Sequence, residues 1–224
     1  MNLRLPDATS RSFVVGATGT GKTRFGSYLF GKTFQPKKRP YVIIDTKREE
    51  LFADIDRAEE IGVNEVPKHP GLYIMRPMQL DEALEPWFMR VLDKGNLGLF
   101  IDEGFMVPGR PPRYKGLNGI LTQGRSKKIP VTMLSQRPAW VTPYAMSEAS
   151  FYAVFRLQHP SDYDKISGFV PNSRLFDFSK RLPEYHCRWY DVGKDTGAIL
   201  SPCPLDDEIL DLYDFALRKT VHNY

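Results

Sequence analysis

Two cysteines, Cys187 and Cys203, are all that 224 residues offer. That is too few for a disulfide framework, and the pair reads as reduced, intracellular thiols. The opening segment Met1–Ser12 has no apolar stretch of the kind that drives secretion, so no signal peptide is expected. No apolar run approaches the roughly 20 residues of a membrane helix. A membrane role would therefore need a partner or a surface contact. Internal repeats and low-complexity tracts are missing as well. Nor is there a large excess of one charge: 31 basic and 27 acidic residues leave a formal +4, which permits a nucleic-acid partner without requiring one.

What is present is an ordinary globular mixture, 42% hydrophobic and 26% charged, at a length that suits one α/β domain spanning residues 1–224. Apolar strands alternate with helical patterns, which predicts a mainly parallel sheet covered on both faces. Strands are expected at Ser12–Val15, Tyr41–Asp45, Gly71–Arg76, Leu97–Glu103, Ile129–Leu134 and Phe151–Leu157. Helices are expected from Lys22 to Phe30, Glu49 to Ile61 and Gly116 to Lys127. Leu80, Ala83, Leu84, Trp87, Phe88, Val91 and Leu92 recur at helical spacing and read as core, with Pro86 starting or kinking that helix. Ser161 is placed to cap a short helix through Ile166. His186–Val192 and Gly197–Leu200 predict a hairpin turning at Gly193–Thr196. A last helix carries Leu205, Ile209, Leu212, Tyr213 and Ala216 on one face. Its acids Asp206, Asp207, Glu208, Asp211 and Asp214 suit a solvated face or a basic partner.

Between the first strand and the first helix stands GATGTGKT, a full match to GxxxxGK[ST]. Gly16, Gly19 and Gly21 let the backbone turn its N–H groups inward, with Ala17, Thr18 and Thr20 between them. Those N–H groups and the helix N-terminus bind phosphate oxygens. Lys22 can reach the terminal phosphates of ATP, and the Thr23 hydroxyl can face Mg²⁺. A bare glycine-rich turn is the competing explanation, and the strand-to-helix setting argues against it.

Phe100-Ile101-Asp102-Glu103 closes a later strand. A carboxylate there can complete a metal shell, which makes Asp102 the second metal-site candidate beside Thr23. Glu103 can polarise an attacking water as general base. Gln136, at the end of the 129–134 strand, can sense the terminal phosphate or orient that water. As an alternative it is a capping amide.

From Phe105 to Pro130 there are basic residues at Arg110, Arg113, Lys115, Arg125, Lys127 and Lys128 and no acid. A basic loop rich in Pro and Gly can hold a nucleic-acid backbone without reading sequence, which nominates Arg110, Arg113, Lys115, Lys127 and Lys128 as DNA contacts. A solvated surface is the plainer alternative. Arg125 and Arg156 are candidates for the arginine that stabilises charge on a transferring phosphoryl group, either of them able to serve a neighbouring subunit.

The order GATGTGKT, YVIIDTK, LFIDE, GRSKKIPVTMLSQRP and FRLQHPSDYDKI resembles the FtsK/HerA superfamily of DNA-pumping ATPases. The resemblance runs from about residue 12 to 170. It implies a P-loop NTPase with a RecA-like (ASCE) core, ATP hydrolysis with Mg²⁺, a homohexameric ring and double-stranded DNA in a central channel. Lys22, Thr23, Asp102, Glu103 and Gln136 match its nucleotide-site residues, and Arg125 and Arg156 its arginines. Unlike the larger members, the chain is expected to have no membrane anchor, no long leading domain and no appended DNA-reading domain. In size and domain content it is most similar to genome-packaging ATPases of tailless, membrane-containing double-stranded DNA viruses. That implies work in the virion or host cytoplasm, with capsid-vertex or membrane proteins as further partners. Rival readings are a nucleotide or small-molecule kinase, for which no lid or acceptor pocket is evident, an assembly protein that binds ATP only as a structural ligand, and a secretion or conjugation ATPase of the same superfamily.

Overall fold

The structure is a computed structural model that describes residues 3–78, 82–104, 115–170 and 182–218. Its strands are β1 (Arg11–Val15), β2 (Pro40–Ile44), β3 (Glu59–Ile61), β4 (Gly71–Met75), β5 (Gly98–Ile101), β6 (Val131–Ser135), β7 (Phe151–Val154), β8 (Cys187–Asp191) and β9 (Thr196–Leu200). They form one nine-stranded sheet in the order β3-β4-β2-β5-β6-β1-β7-β8-β9. β1 to β7 pair in parallel, and β8 and β9 add an antiparallel extension at one edge. The helices are α1 (Lys22–Thr33), α2 (Glu50–Ala53), α3 (Glu85–Lys94), α4 (Lys115–Gln123), α5 (Pro143–Ser147), α6 (Pro160–Ser167) and α7 (Asp206–Arg218).

The inner strands are apolar throughout because both faces of the sheet are covered. Alternate residues divide between two cores. Phe13, Val15, Val42, Ile44, Leu99 and Ile101 join Trp87, Phe88, Val91, Leu117 and Ile120 on the side of α3 and α4. Val14, Ile43, Phe100 and Leu134 join Phe25, Leu29, Phe52, Ile209 and Tyr213 on the side of α1, α2 and α7. A mixed α/β fold with a mostly parallel sheet is thus as expected. Trp87, Phe88 and Val91 are core, and Pro86 sits in the first turn of α3 and starts it. Leu80 of that stripe lies outside the described residues.

Three local expectations need correction. The helix expected over Glu49–Ile61 is a single turn, α2, followed by β3. Phe52 pins that turn by packing edge-on to Phe100, ring centroids 5.4 Å apart. Glu59 and Glu60 then face solvent while Ile61 turns inward, so the strand pairs along β4 with acids on its open side. Ser161 is not the cap of α6: His159 holds that position without a side-chain bond, and Pro160, with φ preset for a helix, opens it. α4 stops at Gln123 rather than Lys127, before Gly124. The hairpin is as read, with Asp191 Oδ1 accepting the Gly193 and Lys194 N–H groups at 3.0 and 3.3 Å. Cys187 and Cys203 are free thiols. Among the described residues no helix is long and apolar enough to cross a membrane.

Candidate active site

β1 ends with Val15 level with Ser135 of β6 and Val154 of β7, so three strand ends converge where the glycine-rich loop begins. Gly16 N–H donates to the Ser135 carbonyl at 3.2 Å and Ala17 N–H to the Arg156 carbonyl at 2.9 Å. Thr20 Oγ1 folds back on the Ala17 carbonyl at 2.8 Å. Gly19 and Gly21 have φ of 75° and 90°, values that favour glycine, and they turn the chain into α1. That helix starts at Gly21 with no side-chain cap and no acid in its first turn. Its leading N–H groups are therefore left for an anion.

Lys22 is 5% exposed. Burial, and then the charge of Lys47, pull its ammonium below the ordinary lysine value, while Glu103 and Asp102 oppose the shift. Thr23 Oγ1 donates to Asp102 Oδ1 at 3.2 Å. Asp102 is fully buried at the end of β5, and Glu103 follows at 6% exposure. Glu103 Oε1 accepts the Gln136 N–H at 3.2 Å, and the Gln136 side-chain oxygen accepts the Thr18 hydroxyl at 2.7 Å. The three expected motifs thus meet in a single hydrogen-bonded cluster.

Lys47 was not singled out from sequence. It extends from the end of β2, and its ammonium lies 3.1 Å from Asp102 Oδ2 and 3.2 Å from Glu103 Oε2. Burial works against that charge, but the two carboxylates hold the ammonium above the ordinary lysine value. Glu49 is raised by burial and by Asp102. The sequence signals for Lys47 were its place two residues beyond a strand-ending aspartate and at the end of the YVIIDTK segment that carries the resemblance. That aspartate, Asp45, is itself buried, accepting the Glu49 N–H at 3.2 Å and facing Arg76 Nε at 3.4 Å.

The carboxylate oxygens that face Lys47 are buried and have no aligned hydrogen-bond donor. They are hard oxygen ligands beside a threonine hydroxyl, and a small divalent cation fits that donor set. Among the described residues no group of three or more His, Cys, Asp or Glu could hold a metal.

The cleft holds about 800 Å³ and is bounded by the glycine-rich loop, Lys47, Glu49, Gln136 and, on the far side, Tyr185, Pro202, Cys203, Leu205 and Asp206. This far wall comes from a part of the chain that sequence motifs left without a role. Arg156 lies just past β7, exposed beside Gly19 and Thr20 of its own loop. Arg125, Lys127 and Lys128 are exposed in the turn that leads into β6, at the opposite end of the strands from the cleft. Lys115 is exposed at the start of α4. Arg110 and Arg113 lie outside the described residues.

No family model matches the chain. Among known proteins it is 36% identical to the DNA packaging ATPase P9 of Enterobacteria phage PRD1 over 232 residues, covering 98% of each chain. Among solved structures it resembles the genome packaging NTPase B204 of Sulfolobus turreted icosahedral virus 2 in complex with ATP-gammaS, at TM-score 0.69 and 19% identity, covering 88% of this chain and 99% of that one. It also shares its fold with the conjugation coupling protein TcpA of pCW3, at TM-score 0.60 and 13% identity, covering 92% of this chain and 65% of that one. The alignment to P9 spans nearly the whole of both chains, and the chain belongs to the DNA packaging ATPase family that includes PRD1 P9.

Proposed function

We propose that the chain hydrolyses ATP to drive double-stranded DNA into a viral capsid, working as one domain within a homo-oligomeric ring, a hexamer. The observation that carries the hydrolytic half is the meeting of Thr23, Asp102, Glu103 and Gln136 around the N-terminus of α1. Membership of the P9 family supports the packaging half.

In this reading the loop N–H groups and Lys22 hold the phosphates. Thr23 and Asp102 hold Mg²⁺, which neutralises phosphate charge when bound. Glu103 accepts the proton of the attacking water, and Gln136 orients that water from its tether on Thr18. Glu103 directly after Asp102 favours water over an alcohol acceptor, which separates this site from a kinase. Arg156 stands near its own cleft. Arg125, at the far end of the strands, acts on the cleft of a neighbouring subunit. Arg110, Arg113, Lys115, Lys127 and Lys128 hold the DNA backbone, so binding is sequence-tolerant and weakens with salt. The assembly works in the virion or the host cytoplasm, docked on capsid-vertex or membrane proteins.

The test is steady-state ATPase activity with and without long duplex DNA at two salt concentrations. DNA should raise turnover, and salt should erase the effect. Glu103→Gln should retain ATP binding while hydrolysis falls by at least about 100-fold, the usual scale of a lost general base. Full turnover in that variant removes Glu103 from the mechanism. Turnover indifferent to DNA but raised by a small phosphate acceptor removes the motor.

A further inference from the structure

The far wall of the cleft carries no phosphate-binding motif, yet it is built for contact. Tyr185 has φ 56°, left-handed backbone that aromatic residues seldom adopt. Such conformations persist where the surroundings impose them, often at ligand clamps. The ring lies against the turn that opens α1: a Cβ placed on Gly21 would stand 3.2 Å from Tyr185 Cδ1. Even so, Tyr185 is 52% exposed, and Leu205 on the same wall is 66% exposed. Two large side chains with apolar faces therefore stand open along the wall of the cleft.

That wall is fixed relative to the phosphate loop. Arg24, two residues past Lys22, donates from Nε to Asp206 Oδ1 at 2.7 Å and from Nη2 to Oδ2 at 2.9 Å. The paired fork ties the first turn of α1 to the first turn of α7. It also leaves Arg24 and Asp206 satisfied by each other.

We propose that Tyr185 is the stacking platform for the nucleobase, with Leu205 and Pro202 closing over the ring. The proposal rests on the reading of Gly16–Thr23 as the phosphate site. A ligand whose phosphates sit at the N-terminus of α1 has the rest of this cleft for its sugar and base, and Tyr185 flanks that space. Tyr, Leu and Pro grip the face of a planar base, while the Arg24–Asp206 pair offers its edge little. Every base has a π-face, so the grip is tolerant of base identity. GTP is expected to bind within about tenfold of ATP.

The experiment is equilibrium binding of ATP and of inorganic tripolyphosphate, each with Mg²⁺, to the full chain and to Tyr185→Ala, Tyr185→Phe and Tyr185→Trp. Tyr185→Ala should weaken ATP about tenfold, the scale of one lost stacking contact, and leave tripolyphosphate unchanged. Tyr185→Phe should bind ATP as the parent does. The added indole of Tyr185→Trp should be quenched by ATP and not by tripolyphosphate. An equal loss for both ligands in Tyr185→Ala, or no loss for ATP, overturns the stacking role. Failure of tripolyphosphate to bind the parent protein overturns instead the phosphate-site reading beneath it.

Discussion

The ammonium of Lys47 lies 3.1 Å from Asp102 Oδ2, joining the end of β2 to the end of β5. With Glu103 Oε2 at 3.2 Å, it is the cation that makes two adjacent buried carboxylates tolerable before any metal arrives. Breaking a fully buried pair costs about 3–5 kcal/mol, but the Lys47 side chain keeps 27% of its exposure, which weakens the effect. Lys47→Met is therefore expected to cost about 2 kcal/mol, a fall of roughly 4–8 °C in Tm for a chain of this size. Millimolar Mg²⁺ should recover much of that loss, because it supplies the missing charge. Calorimetry with and without Mg²⁺ measures both effects, and an unchanged Tm contradicts the assignment.

The Thr18–Gln136 contact at 2.7 Å links the phosphate loop to the residue that holds Glu103. If the two act as a unit, their losses will not add. Gln136→Ala should slow turnover about tenfold or more with little change in ATP affinity, as expected for a contact used in the transition state. Adding Thr18→Val to that variant should cost much less than Thr18→Val costs alone. Additive losses in a double-mutant cycle would mean that the contact is incidental.

Cys203 lines the cleft, and burial pushes its thiol up to about 11. Alkylation by iodoacetamide should therefore be slow at neutral pH and rise about tenfold per pH unit, since the thiolate is the reactive form. ATP should slow it further. Cys187, buried in β8, should stay unmodified. The folded chain holds the Cys203 proton more tightly than an unfolded chain whose thiol ionises near 9. This contribution to stability is complete below pH 9 and is lost as pH rises through about 11. Mass spectrometry of the adduct across pH, with and without ATP, checks the order and the protection.

Gly116 lets α4 press on α3. A Cβ there would stand 2.7 Å from Met89 N and 2.8 Å from Phe88 Cβ, backbone and near-backbone atoms that cannot swing away. Alanine in a helix gains about 1 kcal/mol over glycine, whereas overpacking a core costs about 1–3 kcal/mol. The clash is expected to win, leaving Gly116→Ala destabilised by about 1–2 kcal/mol in urea titration. A stabilised variant would show that the two helices can separate at no cost.

The phosphate loop was legible in sequence because its chemistry is contiguous: eight residues, one strand end and one helix start. Asp102 and Glu103 were legible because a strand-ending acid pair is rare in an apolar run. Lys47 was not, since its partners are more than fifty residues away and only the β2–β5 pairing brings them together. The far wall was hidden for the same reason. Tyr185 and Leu205 look like ordinary loop residues until the chain returns across α1. The error over Glu49–Ile61 has a different origin. Glu59 and Glu60 belong to an edge strand, and edge strands carry charge that a local reading assigns to a polar helix. Arg125 was expected inside a helix over Gly116–Lys127, but α4 ends at Gln123 and leaves it in the turn into β6, at the far end of the strands from the cleft.

The Tyr213 hydroxyl donates to the Ser27 carbonyl at 3.1 Å across a separation of 186 residues, roofing α1 with α7. Until α7 docks, Phe25, Leu29 and Phe30 of α1 lack part of their apolar cover, and the Arg24–Asp206 clasp cannot form. Contacts so distant in sequence close late, because the loop entropy must be met first. The helix that the glycine-rich loop leads into thus owes part of its cover and its clasp to the last described helix of the chain. The keystone of the nucleotide seat is therefore a helix that contributes no residue to the phosphate motif.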